Sequence, residues 1–404
     1  MEPISSIELS SMLPFVFGGL IGHGSFGGVY VAKQNNVEAD AVSDLCAVKI
    51  ICMEDVPTGI WNIIMDEINV MKELKHDNLM KALSTFSLGC IMCRVLPLMV
   101  YQSCDVIINS SFPYGMPEHA VGMILRDILS ALTYLHDHNF IHRAVKGSHI
   151  LINEIGSAQL TSFQYMIKMK PDDEKLFMVD HLQYMSKNVN WLSPEILKQD
   201  SVGYSYNSDV YSLGITACEL ANGVVPFADM NASLMLLKKL TDTPPVLWDK
   251  SFLISENQAS SSQHAVPRRP VGSNKGQENM PHFERSTSST DSGSDDEITF
   301  GAADIDEMNK VYMDKSYSKD FKNFVELILV VDAENRLSAH SAMKHIFVRT
   351  YTNIPGDELL QVLCLSNPIE FKSGEEKQGL AEIKTGLLKS VDEVCWDFSF
   401  SSPN

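Results

Sequence analysis

No apolar run in this 404-residue chain approaches the roughly 20 residues that a membrane-spanning helix requires. The first candidate, MLPFVFGGLI, is short, has no Lys or Arg before it and breaks at glycines, so it does not read as a secretory leader. Positive charge is scarce as well: 32 basic against 51 acidic side chains leave a formal net charge of -19. Such a chain repels polyanions at long range, which argues against nucleic acid and anionic membrane as partners. Cysteine pairs at zinc or disulfide spacing are also missing. The eight cysteines are scattered, as suits a reducing cytoplasm, with the nucleus also open. Cys90 and Cys93 form the one C-x-x-C, and without a second pair they read as packed thiols rather than a redox or metal site. What the chain does have is apolar material, 45% of its residues, enough for a full core.

Residues 15–33, FVFGGLIGHGSFGGVYVAK, alternate apolar and small residues around a glycine cluster and predict a strand, a tight turn and a returning strand. Gly22, Gly24, Gly27 and Val29 fit G-x-G-x-x-G-x-V, a pattern that ordinary glycine-rich hairpins also show. Leu45-Cys46-Ala47-Val48-Lys49-Ile50 is a short apolar strand with one lysine inside it. WNIIMDEINVMKELKHDNLM puts Ile64, Ile68, Met71 and Leu74 on one face of a helix, with Glu67 just before Ile68. Two more apolar runs, LMKALSTFSL and CIMCRVLPLMVY, read as strands leading to a hinge near Met99 and Tyr101. The second is made irregular by Pro97, which has no N–H for a ladder. An amphipathic helix, ILRDILSALTYLHDH, then runs into a loop and short strand, IHRAVKGSHILI.

That last stretch resembles the protein-kinase catalytic loop H-R-D-L-x-x-x-N, which His142, Arg143 and Lys146 match. Ser193-Pro194-Glu195 resembles A-P-E; Asp209 matches the aspartate of a buried helix that holds the catalytic loop, and Arg336 matches the partner of the Glu195 position. In this order the matches imply an α+β, bilobal protein-kinase-like fold. Its β-rich N-lobe is expected at 15–101 and its helical C-lobe at 102–350, flanked by an N-terminal segment, 1–14, and a tail, 351–404. Lys49 then falls at the phosphate-pairing lysine of V-A-I-K and Glu67 at the helix glutamate that pairs with it, a pair expected to hold the N-lobe in an active-like posture.

Three groups depart from that pattern. Ala144 stands at the catalytic base, His149 at a magnesium-holding Asn, and Ser162 at the aspartate of Asp-Phe-Gly. A positioned base is worth about 10² to 10⁴ in rate, and magnesium demands hard oxygen ligands that histidine does not offer. The expectation is a pseudokinase with no catalytic residues and no metal site. Asp172, Asp173 and Glu174 could in principle substitute, but such a run reads as a solvated loop. The nucleotide cradle survives in Gly22, Gly24, Gly27, Val29, Ala47, Lys49, Glu67 and Met99. Lys146 and His149 are expected to add charge, so ATP is expected to bind without magnesium. The alternative is a glycine loop that only closes the lobe.

Residues 251–300 are serine-rich and charged, too poor in aliphatics to order themselves, and read as a flexible insertion. The phrases HRAVKGSHILI, WLSPEIL and SDVYSLGITACELANGVVPFADM, followed by this insertion, resemble the STRAD pseudokinases, the Ste-related adaptors. The resemblance implies an allosteric adaptor that binds and activates a liver-kinase-B-type serine/threonine kinase. It also implies a helical-repeat scaffold that takes an aromatic C-terminal motif, here Trp396-Asp397-Phe398 where the family has Trp-Glu-Phe at its end. A nucleotide and a scaffold that both favour one posture would raise each other's affinity. Two readings stay beside it: a low-activity serine/threonine kinase of the Ste type, and a plain scaffold without nucleotide.

Overall fold

The structure is a computed structural model that describes residues 15–24, 27–34, 45–54, 56–88, 90–170, 173–177, 187–198, 203–241, 244–252, 310–365 and 368–369. Two compact units emerge. The described parts of Met1–Gln102, Ile152–Glu154 and Ser366–Asn404 make the first, and those of Ser103–Leu151 and Ile155–Leu365 make the second.

The first unit is built on an antiparallel five-stranded sheet of order β1-β2-β3-β5-β4. Its strands are β1 (Phe15–Gly24), β2 (Gly27–Gln34), β3 (Leu45–Cys52), β4 (Ser84–Leu88) and β5 (Ile91–Pro97). Alternation splits these strands into two faces. Phe15, Phe17, Tyr30, Cys46, Val48, Ile50, Cys93 and Val95 pack into one cluster. Val31, Ala47 and Leu98, with Ile21, Val29 and Leu96 against them, make the other. Lys49, two residues past Ala47 on β3, projects from this second face. Cys90 and Cys93 are buried in the first cluster, and burial pushes the Cys93 thiol up to about 12. They are packed thiols, as their spacing implied. Pro97 closes β5 opposite Cys46, so its missing N–H falls at a strand end.

Helix α1 (Thr58–Glu73) packs on this unit through the stripe that its spacing predicts. Ile64, Ile68, Met71 and Leu74 are all buried. The chain leaves the helix in extended conformation at Leu74.

The second unit is helical. Its long helix α3 (Glu118–Asp137) follows α2 (Cys104–Ser111) and presents a buried stripe from Ala120 to Leu135. Strand β6 (Phe140–Ile141) comes next, then the loop 142–149. Helix α4 (Pro194–Lys198) is short, whereas α5 (Asn207–Asn222) is buried from Ser208 to Asn222. A helix hidden all round belongs in the middle of a core. It stops at Gly223, whose φ of 79° is the left-handed turn that glycine accepts without strain. Among the described residues, no helix is long and apolar enough to cross a membrane.

Candidate functional site

The loop IHRAVKGSHILI is gripped from below by α5. Asp209 is fully buried and accepts hydrogen bonds from the backbone N–H of His142 at 2.7 Å and of Arg143 at 2.8 Å. His136 Nε2, 3.0 Å away, supplies a third partner. Burial alone would raise the Asp209 carboxyl; the bond to His136 and the imidazoles nearby outweigh it, and the group is held below its ordinary value. An ionised carboxylate deep in a core is tolerable only with such a set of donors.

His142 turns its ring the other way. Its Nε2 donates to the Thr161 carbonyl at 3.0 Å, and its Nδ1 accepts from the Ala144 N–H at 3.3 Å. Burial pushes this imidazole down to about 4, so near neutral pH it is an uncharged brace. Arg143 adopts a φ of 61° and donates through Nε to the Tyr165 carbonyl at 2.6 Å. Ser162, in the place of the metal-binding aspartate, has a φ of 71°. Left-handed backbone at two non-glycine residues is held only where the surroundings over-determine it.

The replaced groups lie inside this frame. Ala144 is 1% exposed and carries no carboxylate, so nothing at its position can orient a hydroxyl. His149 Nδ1 donates to the Ala144 carbonyl at 2.8 Å, closing the loop on itself, while its ring lies over Tyr165. Lys146 donates to the Lys187 carbonyl at 3.1 Å and sits 5.0 Å above the Trp191 ring. Burial lowers its ammonium, against the pull of Glu219 and Asp105. His149 and Ser162 stand at the two positions where the kinase pattern has oxygen ligands for magnesium, and neither side chain brings a carboxylate or amide oxygen.

Below the loop, Glu219 accepts from the Gly147 N–H at 3.1 Å and from Trp191 Nε1 at 2.8 Å. Burial lifts its carboxyl to about 7 despite those donors. The segment entering α4 is pinned twice more. Lys239 donates to the carbonyls of Asn190 and Leu192, both at 2.7 Å. Arg336 grips Glu195 with two bonds, 2.7 and 3.0 Å, from a side chain with no exposure.

In the first unit, Gly24 lies directly against Lys49: a Cβ at Gly24 would stand 2.7 Å from the lysine Cε and 3.0 Å from Nζ. A Cβ at Gly27 would stand 1.8 Å from the Ile50 carbonyl oxygen, whereas Gly22 faces open space. Val29 and Ala47 extend an apolar patch beside Lys49 on the same sheet face. Met99 is buried at the end of this unit and its carbonyl accepts from the Gln102 N–H.

Glu67 departs from expectation. Its ion pair is with Arg94 of β5, Nη1 to Oε2 at 2.6 Å, and not with Lys49. Burial pulls its carboxyl up, but Arg94 and then Lys49 outweigh that and hold it below the ordinary value. The Lys49 ammonium is lowered by burial, which Glu67 only partly offsets. The reason is reach: Lys49 and Arg94 are direct cross-strand partners, and the longer guanidinium takes the carboxylate. Arg94 was legible as a lone cation inside IMCRVLP, because a charge in a central strand demands a buried partner. Residues 396–398 and most of the 251–300 insertion lie outside the described residues.

A protein-kinase-like fold is thus written in the β sheet, the loop held by Asp209, and the Glu195–Arg336 pair. The protein kinase domain family matches residues 15–348. Among curated proteins, the rat STE20-related kinase adapter protein alpha is 32% identical over 358 residues, covering 87% of this chain and 85% of the relative. Its human counterpart is 33% identical, covering 87% and 77%. The human STE20-related kinase adapter protein beta is 33% identical, covering 72% and 65%. The chain belongs to the protein kinase domain family and, within it, to the STE20-related kinase adapters.

Proposed function

We propose that this protein is a pseudokinase adaptor that binds and activates a liver-kinase-B-type serine/threonine kinase together with a helical-repeat scaffold. The observation that carries the reading is a kinase loop kept in shape while its reactive groups are replaced. Asp209, His142 and the left-handed turns at Arg143 and Ser162 preserve the frame, and Ala144, His149 and Ser162 remove the base and the metal ligands. Shape kept without chemistry fits a binding partner better than a phosphotransferase, and the relatives are named kinase adapters.

ATP is proposed as the nucleotide, without a magnesium requirement. The apolar face with Val29 and Ala47 suits a planar base, and Gly24, backed by the Lys49 ammonium, suits a phosphate. Gly22, Gly27 and Met99 complete the residues of the first unit assigned to it. When bound, the nucleotide supplies binding energy and negative charge to this face; no group is proposed to transfer phosphate. Trp396, Asp397 and Phe398 are proposed to dock on the scaffold, since aromatic anchors dominate interface energetics. The protein is proposed to work in the cytoplasm, with the nucleus as a second site.

The test is reconstitution. Purified chain added to a purified liver-kinase-B-type kinase and scaffold is expected to raise phosphorylation of a peptide substrate, and Trp396→Ala is expected to weaken recovery of the scaffold. The chain alone is expected to transfer no labelled phosphate. Transfer by the chain alone, abolished by Lys49→Met, would overturn the adaptor reading in favour of a low-activity Ste-type kinase.

A further inference from the structure

Helix α1 meets the sheet at one carboxylate, Glu67, and two cations face it from neighbouring strands. Lys49 on β3 and Arg94 on β5 stand opposite each other in the antiparallel register, so their side chains leave the same face of the sheet. Arg94 wins the contact. Its Nη1 lies 2.6 Å from Glu67 Oε2 and 3.7 Å from Met71 Sδ, one turn further along the same helix. The pair is shut away from water, with side-chain exposures of 2% and 6%. Arg94 Nε and Nη2 have no hydrogen-bond partner, so the guanidinium is committed to the helix through Nη1.

We propose that Arg94, not Lys49, is the positioning residue that docks helix α1 on the sheet, and that docking therefore needs neither Lys49 nor a bound nucleotide. Where a lysine alone faces such a glutamate, one ammonium must serve both the helix and any ligand phosphate, and ligand and helix are coupled through it. Here the two jobs belong to two cations. A guanidinium presents its donors in a fixed planar fork, and a buried charged hydrogen bond of 2.6 Å holds its geometry. Lys49, with Gly24 pressed against its Nζ, is left to the sheet face on which Val29 and Ala47 lie. The proposal rests on none of the nucleotide assignments above: it predicts a docked helix whether or not ATP binds. It also removes the strongest route by which nucleotide and partner would reinforce each other, since a ligand moves an equilibrium only through differential contacts.

Amide hydrogen exchange on the full chain reads the docking directly, using the α1 amides from Ile64 to Met71. Lys49→Met is expected to leave their protection unchanged relative to the other buried amides of the sheet, and saturating ATP is expected to add no more to them than to those amides. Arg94→Met is expected to speed their exchange by about tenfold or more, with other buried amides of the sheet affected less. Arg94→Lys is expected to restore part of the protection, which a merely space-filling role would not require. In the Arg94→Met background, Lys49 becomes the sole cation facing Glu67, so removing it as well is expected to cause a further loss that it does not cause in the wild type. A helix loosened by Lys49→Met as much as by Arg94→Met, or tightened by ATP about tenfold more than the buried sheet amides in the wild type, would overturn the proposal. Should Arg94→Met yield no folded protein, Lys49→Met still decides: wild-type protection supports the assignment to Arg94, and a loosened helix refutes it. Absence of any ATP-induced thermal shift would refute the nucleotide assignment and leave this one standing.

Discussion

The loop held by α5 and the sheet that carries Lys49 both descend from the same kinase pattern, yet they have changed in opposite ways. In the loop, the backbone's anchor on Asp209 is kept together with Lys146, while the positions of the base and of a metal ligand are replaced by Ala144 and His149. Around Lys49, the glycine and lysine of the kinase pattern are kept and the supporting contact differs, because Arg94 holds Glu67. Buried charge explains both. Asp209 can stay ionised only while two backbone N–H groups and an imidazole point at it, so it and the loop must be retained together. A carboxylate such as Glu67 needs a cation but is indifferent to which strand supplies it.

The comparison breaks most visibly at Asp209. Asp209→Ala leaves two loop N–H groups unpaired in the core and is expected to cost about 3 to 5 kcal/mol in chemical denaturation. Asp209→Asn, which keeps one carbonyl oxygen as acceptor, is expected to cost less. A loss below about 1 kcal/mol for the alanine variant would mean that the loop does not depend on α5.

A pH profile sharpens the picture of Glu219. Its folded carboxyl, lifted by burial to about 7, lies above the ordinary 4.5. A raised acid binds its proton more tightly in the folded state, so its contribution is full below the unfolded value and is lost as pH rises through 7. Relative to Glu219→Gln, which still offers an oxygen to Trp191 and Gly147, the wild type is expected to lose about 3 kcal/mol between pH 4 and 8. A flat difference across that range would show that the group is not held neutral. Loop behaviour should follow the same curve, since Gly147 lies in IHRAVKGSHILI.

The smallest expected effects separate the glycines. Gly27→Ala drives a methyl into the Ile50 carbonyl and is expected to cost about 1 to 3 kcal/mol. Gly22→Ala has room and is expected to change stability by less than about 0.5 kcal/mol. If both were neutral, the packing of Gly27 on the Ile50 carbonyl would be looser than the sheet implies.

How much could be read beforehand follows the same division. The stripe of Ile64, Ile68, Met71 and Leu74 announced helix α1 because burial on one face imposes a period. Asp209, Glu195 and Arg336 were legible because buried ions need partners and the kinase pattern supplies their spacing. The Lys49–Glu67 pair was misread, since the spacing that placed Glu67 beside the sheet could not say which of two cross-strand cations would reach it. The contact between helix α1 and the sheet joins residues 27 apart in the case of Arg94 and Glu67, and no local pattern reports such a distance.

The sequence by itself determined the composition of both halves: a glycine-rich hairpin with one lysine behind it, and a catalytic-loop stretch with alanine and histidine, followed by Ser162, where reactive groups would stand. These are matters of which atoms are present, and folding cannot add a carboxylate to Ala144. Tertiary structure decided who is bonded to whom. It turned His142 into an uncharged brace, spent His149 on the Ala144 carbonyl, laid Lys146 over Trp191 and gave Glu67 to Arg94. Each of those choices turns on distances of an ångström or two between elements far apart in the chain, where desolvation makes the nearest charged partner the dominant one.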